Sequence, residues 1–279
     1  MKITDADIKM LKEKANDIRK DIIEQVYSAQ SGHPGGALSI ADILTVLYFN
    51  QMNIDPAKPG DENRDRLILS KGHATTALYA ALAEKGYFPK EELKNFRKLG
   101  SMLQGHPDMK KVPGVDMTSG SLGQGLSVAN GMALASKMDG RGYKVYCIVG
   151  DGEIEEGQIW EAAMTSSKYR LDNLCLIVDN NNLQIDGKVS DVKSSVYPLK
   201  EKFEAFGFEA FEVDGHNIDE LIMTFQKVRQ TKERPSVVIA KTIKGKGVSF
   251  MEDNTGWHGK APNEEEYRKA INELNRMGE

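Results

Sequence analysis

Two polar clusters each follow directly on an apolar run, GDGE at 150–153 and DNNN at 179–182. The glycines of the first cluster allow backbone amides to approach a phosphate at the start of the next helix. Asp151 and Asn181 supply a carboxylate and an amide oxygen, ligands that suit Mg²⁺ or Ca²⁺. Such residues also cap and turn strand-to-helix connections, which is the alternative interpretation. The matched placement of Asn181 favours a phosphate and metal site.

Histidine placement is the second chemical feature. The chain has five histidines, and four lie in loops flanked by Gly or Pro: His33, His73, His106 and His258. Histidine exchanges protons near neutral pH, so a cluster could bind hydroxyl groups, donate to a developing oxyanion or contact phosphate. A lone loop histidine is usually only solvated, and His216 is assigned to a turn or a helix start.

Two charged segments are interpreted as solvent-exposed structure rather than as binding sites. The run EIEE at 153–156 and the later Glu161 suit a solvated helix face with favourable negative charge near the helix N-terminus. Lys244 and Lys246, each followed by Gly, predict an exposed loop rather than a phosphate clamp.

Helices and strands must position these residues. Apolar spacing predicts helices over 5–30, 38–49, 74–85, 122–138, 153–168, 198–206 and 219–230, with a break at 32–36. Short apolar runs predict strands at 66–70, 143–149, 174–178, 208–213 and 236–241. This alternation indicates an α/β fold, a parallel sheet with helices on both faces. Ligands bind at the carboxyl ends of such strands, so function is expected at 70–73, 150–153, 179–182 and 242–247.

Composition narrows the class of protein. The chain has 279 residues and a formal net charge of −4, which argues against a general nucleic-acid binder. Cys147 and Cys175 lie in apolar runs and suit small buried side chains in a reducing cytoplasm. No apolar run reaches the length of a membrane span, and the N-terminus lacks a signal core. No linker divides the sequence, so we expect a single domain over 1–279 in a cytoplasmic protein.

Taken together, several segments resemble the N-terminal, diphosphate-binding part of a transketolase, a thiamine-diphosphate enzyme. The resemblance runs from about residue 10 to 263 and rests on SGHPGG at 31–36, RDRLILSKGH at 64–73, GHPD at 105–108, SGSLGQGLSVANG at 119–131, GDGEIEEG at 150–157, DNNNLQIDG at 179–187, KTIKGKG from 241 and WHG at 257–259. Three features depart from the commoner family patterns and indicate a divergent branch. SGHPGG has a Gly where many members have Ala, SGSLGQG replaces the commoner TGPLGQG, and Asn180 stands where long-chain members often have Asp.

The resemblance implies a role for each matching residue. Mg²⁺, or Ca²⁺ or Mn²⁺ in its place, would be held by Asp151, Asn181 and the carbonyl of Leu183. Thiamine diphosphate would contact the same residues and His73, Gly150, Gly152, Glu153 and His258, with its rings near Leu122 and Ile185. The sugar would lie among His33, His73, His106 and His258. Glu156 and Glu161 match acidic residues that the family buries at a subunit interface, which replaces the solvated-face interpretation.

In the family, a second α/β domain binds the aminopyrimidine ring and activates it with a glutamate. The chain ends about twenty residues after WHG, so we expect a split transketolase, with a partner chain carrying the pyrimidine-binding half in an α₂β₂ assembly. It would transfer a two-carbon ketol unit between sugar phosphates of the pentose phosphate pathway. The alternatives are a split enzyme for an unusual sugar phosphate or sulfosugar, the α subunit of a 2-oxoacid dehydrogenase, and an inactive regulatory subunit.

Overall fold

The computed structural model of the protein describes residues 4–185 and 187–277. Its α-helices are α1 (Asp5–Ala29), α2 (Pro34–Leu38), α3 (Ala41–Val46), α4 (Thr75–Lys85), α5 (Gly125–Met138), α6 (Gly157–Lys168), α7 (Val189–Val192), α8 (Leu199–Ala205), α9 (Ile218–Gln230) and α10 (Glu264–Met277). The strands are β1 (Arg66–Leu69), β2 (Val145–Gly150), β3 (Leu174–Asn180), β4 (Glu209–Asp214) and β5 (Ser236–Lys241).

The strands form one parallel sheet in the order β1-β2-β3-β5-β4. Side chains alternate between its faces, as the strand period of two requires. Tyr146 and Ile148 of β2 pack into one apolar cluster with α1, α3, α4 and α9, whereas Cys147 and Val149 pack into a second cluster with α5, α6 and α8. The predicted α/β class, with a parallel sheet covered on both faces, is therefore confirmed.

Helix α1 shows how local sequence sets these elements. Thr4 accepts a hydrogen bond from the Asp7 amide at 3.2 Å, and the Asp7 carboxylate accepts one from the Thr4 amide at 2.9 Å. This reciprocal capping box satisfies two amides that the first turn leaves without helical partners. Leu11, Ile18 and Ile22 then recur on one face and are fully buried.

The structure corrects three predicted boundaries near the functional edge. The break predicted at 32–36 contains the start of α2, because Pro34 is well placed at a first helical position. The helix predicted from 153 begins at Gly157, after a short 3-10 turn at Gly152–Glu155. Strand β3 continues to Asn180, so the polar Asp179 lies inside the strand rather than after it.

The two cysteines are free and buried, as predicted. They lie on opposite faces of the sheet, Cys147 among the side chains of the α5–α6 layer and Cys175 among those of the α1 layer. Within residues 4–185 and 187–277, no helix combines the length and the apolar character needed to cross a membrane.

Candidate active site at the carboxyl edge of the sheet

A cavity of about 450 Å³ opens where β1, β2, β3 and β5 end. All of the residues predicted for the site line it, with the exception of Glu161. The sequence clusters that follow separate strands therefore meet at one edge, as the topology of a parallel sheet requires.

Three of the four loop histidines form a triangle. The ring centroids are 5.2 Å apart for His33 and His73, 5.4 Å for His33 and His258, and 5.3 Å for His73 and His258. Burial, followed by nearby positive charges, lowers the pKa of His73 to about 2 and the pKa values of His33 and His258 to about 4. The imidazoles are therefore neutral at pH 7 and offer hydrogen bonds without a net charge.

Lys244 enters the same cavity, and the prediction that it lies in an exposed loop was wrong. Its side chain is only 2 % exposed, and its Nζ lies 2.9 Å from Nδ1 of His258 and 3.1 Å from the carbonyl oxygen of Leu183. Burial and the charge of Lys71 lower the pKa of Lys244 to about 8. Gly245 allows this placement, since it has φ +81° and a Cβ there would clash with the Met251 carbonyl.

A buried ion pair that the sequence interpretation missed lies beneath the cavity. Lys71 Nζ is 2.5 Å from Asp179 Oδ2 and donates to the Gly36 carbonyl at 2.7 Å. The Asp179 carboxylate also accepts from Ser39 Oγ at 2.6 Å and from Asn181 Nδ2 at 3.0 Å. Burial opposes ionisation, yet the charge of Lys71 and hydrogen bonds from Lys71, Ser39 and Thr242 hold the pKa of Asp179 below its usual value. The pair thus fixes the orientation of the Asn181 amide.

Asp151 is a buried carboxylate at the centre of the site. It is 2 % exposed, and its oxygens accept hydrogen bonds from the amides of Gly152, at 2.9 Å, and Asn182. Burial, with a contribution from the charge of Asp179, raises the pKa of Asp151 to about 7. Among the described residues no cationic side chain pairs with it. A bound cation would relieve this unfavourable burial of charge.

Glu153 connects three segments of the site. Its Oε1 accepts from the hydroxyl of Ser70 and, at 2.9 Å, from the Gly123 amide, while Oε2 accepts from the Gly150 amide at 3.1 Å. The end of β1, the 119–125 loop and the end of β2 therefore share one carboxylate. Its direct contact with a cofactor stays a prediction, since both oxygens already have protein partners.

The remaining predicted residues lie around the rim. Leu122 and Ile185 expose 39 % and 70 % of their surface, so two apolar side chains border the opening. His106 is held by Tyr79, whose hydroxyl donates to the His106 carbonyl oxygen at 3.2 Å. Glu156 lines the cavity and Glu161 lies outside it, and both side chains are exposed in this chain.

Comparison with known proteins identifies the family. The model for the transketolase thiamine diphosphate binding domain matches residues 10–276. The chain is 47% identical to the 6-deoxy-6-sulfo-D-fructose transketolase subunit SqwG of Clostridium sp. strain MSTE9, over 96% of this chain and 97% of that one. It is 44% identical to a subunit of the apulose-4-phosphate transketolase of Phocaeicola vulgatus, over 92% and 90% of the two chains.

Comparison with a solved structure points to the same family. The transketolase of Campylobacter jejuni superposes with a TM-score of 0.89 at 36% identity, over 99% of this chain and 43% of that one. Fold and site thus define a thiamine-diphosphate-binding α/β domain of the kind found in ketol-transferring enzymes. The chain belongs to the transketolase family, which confirms the resemblance seen in the sequence.

Proposed function

We propose that the chain is the diphosphate-binding subunit of a split transketolase, active with a second chain that carries the pyrimidine-binding half. The observation that carries this proposal is the meeting of Asp151, Asn181 and the Leu183 carbonyl with three histidines in one cavity. The relatives named as subunits support the split arrangement, because this chain matches 97% and 90% of their lengths.

The site fits thiamine diphosphate with a divalent cation. A carboxylate, an amide oxygen and a carbonyl oxygen form the hard oxygen donor set that Mg²⁺ requires, and Ca²⁺ or Mn²⁺ would use the same ligands. The raised pKa of Asp151 reflects a buried negative charge that a cation would compensate. Gly152 packs closely against Gln184 at the cavity wall, since a Cβ there would lie 3.2 Å from the Gln184 side chain.

The histidines and Lys244 would bind the diphosphate and the sugar. Lys244, His73 and His258 supply a cation and neutral donors beside the Leu183 carbonyl, which suits the diphosphate end. His33 and His106 line the same cavity and suit the sugar carbonyl and hydroxyl groups. The thiazolium ring, when bound, provides the electron sink for the carbanion left after C–C cleavage. The chain's own contribution is to hold neutral donors where alkoxide charge develops.

Ring binding and subunit contact would use the exposed rim. Leu122 and Ile185 border the cavity with apolar surface that suits the thiazolium and aminopyrimidine rings. Exposed Glu156 and Glu161 are assigned to a subunit interface. We expect two copies of each chain, an α₂β₂ assembly, and a cytoplasmic location in keeping with the two free cysteines.

Co-purification and a rate assay test the proposal. The chain is produced alone and together with the product of a neighbouring gene, and ketol transfer is followed with Mg²⁺ and thiamine diphosphate. We expect transfer only from the complex, and robust transfer by this chain alone would overturn the split assignment. A pyruvate assay with an artificial electron acceptor tests the α subunit of a 2-oxoacid dehydrogenase. Absence of any transfer from a stable complex would indicate an inactive regulatory subunit.

A second candidate concerns the sugar. The relatives act, by their names, on a sulfosugar and on apulose 4-phosphate, which favours an unusual sugar over the common donors of the pentose phosphate pathway. A panel of ketose donors, assayed with one acceptor, distinguishes the two. The highest kcat/KM for xylulose 5-phosphate would place the enzyme in the pentose phosphate pathway.

A further inference from the structure

The fifth histidine, His216, lies in the turn between β4 and α9, as its sequence context predicted, and the proposed chemistry does not use it. The preceding Gly215 donates its amide to the Lys241 carbonyl, at the end of β5, at 2.8 Å. A Cβ on Gly215 would lie only 2.5 Å from Cγ2 of Thr242. The turn is therefore packed against the segment 242–245 that follows β5.

Both ring nitrogens of His216 have partners. Nδ1 lies 2.8 Å from Oδ2 of Asp42 in α3, and Nε2 accepts a hydrogen bond from the Ile243 amide at 2.8 Å. Because a backbone amide can only donate, Nε2 is the unprotonated nitrogen, and Nδ1 carries the proton that faces Asp42. Arg19 of α1 donates to the same Asp42 oxygen. Burial disfavours a charge on Asp42, yet Arg19 and His216 hold the pKa of this carboxyl below its usual value.

This chain of side chains ends one residue before Lys244. The segment is also held on each side of Ile243 by backbone hydrogen bonds, from the Thr242 amide to a carbonyl of β3 at 3.1 Å and from the Gly245 amide to the Gly35 carbonyl at 2.9 Å. The amide between them is held by the imidazole instead. Loss of that bond frees the backbone next to the side chain that reaches the diphosphate end.

We infer that His216 is a positioning residue that holds Lys244 in the cavity through the Ile243 amide. Asp42, fixed by Arg19, sets the orientation and the tautomer of the ring. The inference rests on the proposed function, which assigns Lys244 to the diphosphate. His216 is not among the described residues that line the cavity, so its effect on binding must pass through the segment that carries Lys244.

Two substitutions separate the two hydrogen bonds of the ring. His216→Gln places an amide oxygen near the position of Nε2 and can accept from Ile243, whereas His216→Asn reaches only as far as Nδ1 and keeps the contact with Asp42 alone. In the assembled enzyme, His216→Asn should raise the Kd of thiamine diphosphate about 3- to 10-fold by calorimetry with Mg²⁺, the effect of one lost hydrogen bond. His216→Gln should keep most of the affinity, and kcat at saturating cofactor should change less than about twofold in both.

A control and a double substitution separate positioning from general destabilisation. Thr45→Val removes a buried hydrogen bond to the Ala41 carbonyl within α3, the helix that carries Asp42, and should leave the Kd unchanged. In a Lys244→Met background, His216→Asn should weaken binding by less than about twofold further, because the two residues act through one contact. Losses that add in full, or equal losses in the Gln and Asn variants, would overturn the inference.

A readout without cofactor separates this inference from the proposed function. Lys244 of the chain alone is acetylated with acetic anhydride and followed by peptide mass spectrometry; its side chain is 2 % exposed, so labelling should be slow. We expect His216→Asn to label about 3- to 10-fold faster, and His216→Gln and Thr45→Val to label at nearly the natural rate. This result supports the positioning role even if no ketol transfer is found, and equal labelling of all four proteins would overturn it.

The natural chain provides a test that needs no variant. Its Ile243 amide should exchange slowly with deuterium, because the bond to His216 must open before exchange occurs. Exchange of this amide as fast as that of an unstructured peptide would overturn the inference.

Discussion

Asp151→Asn gives the most direct test of the cation site. In the chain without cofactor, burial raises the pKa of this carboxyl from 3.8 to about 7. The ionised form is thus disfavoured in the folded state by about 4 kcal/mol, from 1.36 kcal/mol for each pKa unit. The unfolded chain ionises above about pH 4 and the folded chain only above about pH 7, so the penalty grows between these values and is complete above pH 7.

The substitution removes that penalty and one good hydrogen bond. Asn can still accept from the Gly152 amide, but its NH₂ would face the Asn182 amide, which costs about 1–2 kcal/mol. The net expectation at pH 8, without divalent cations, is a stabilisation of about 2–3 kcal/mol, seen as a rise in Tm of roughly 4–8 °C. At pH 4 most of the penalty is absent, and the variant should be slightly less stable than the natural protein.

Cofactor binding should be weakened by the same substitution that stabilises the folded chain. In the assembled enzyme, Asp151→Asn should abolish Mg²⁺-dependent binding of thiamine diphosphate, measured by calorimetry. The control Asp191→Asn makes the same change of charge at an exposed position and should alter neither property. Natural cofactor affinity in Asp151→Asn would refute the ligand assignment, and an unchanged Tm at pH 8 would refute the electrostatic reasoning.

Three further substitutions test the rest of the site. His106→Ala should slow turnover about 10²- to 10³-fold with nearly intact cofactor affinity; lost cofactor with unchanged turnover would contradict this. Lys244→Met should weaken cofactor binding about 10- to 100-fold by calorimetry, whereas Lys246→Met, whose side chain lies outside the cavity lining, should not. Gly245→Ala should lower the free energy of unfolding by more than about 2 kcal/mol because of the clash with a backbone carbonyl. Gly131→Ala, in a helix with open space around it, should raise that free energy by about 0.5–1 kcal/mol in denaturant titrations.

The residues that follow buried strands were predictable from the sequence. The apolar runs before Asp151 and Asn181 are long enough to define β2 and β3, and parallel strands bring their carboxyl ends to one edge. The four loop histidines also line the cavity, and the glycine and proline residues that flank them marked these segments as loops in the sequence.

Buried charges were not predictable in the same way. Lys71 and Lys244 carry charged side chains, which are usually exposed. Their burial is favourable only because of contacts with distant segments: Lys71 pairs with Asp179, and Lys244 donates to the Leu183 carbonyl. Local periodicity holds no information about partners that lie 61 to 108 positions away in sequence. The position of Lys244 after β5, at the functional edge, was the available signal.

The hydrogen bonds of Glu153 have a consequence for how such an enzyme can be divided between genes. The carboxylate joins the ends of β1 and β2 to the 119–125 loop using groups of this chain only. The diphosphate-binding chain therefore holds these three segments together with its own hydrogen bonds. Their arrangement does not depend on a covalent connection to a ring-binding half. A break in the polypeptide between the two halves would leave this geometry in place, and association of separately made chains would be enough to complete the site.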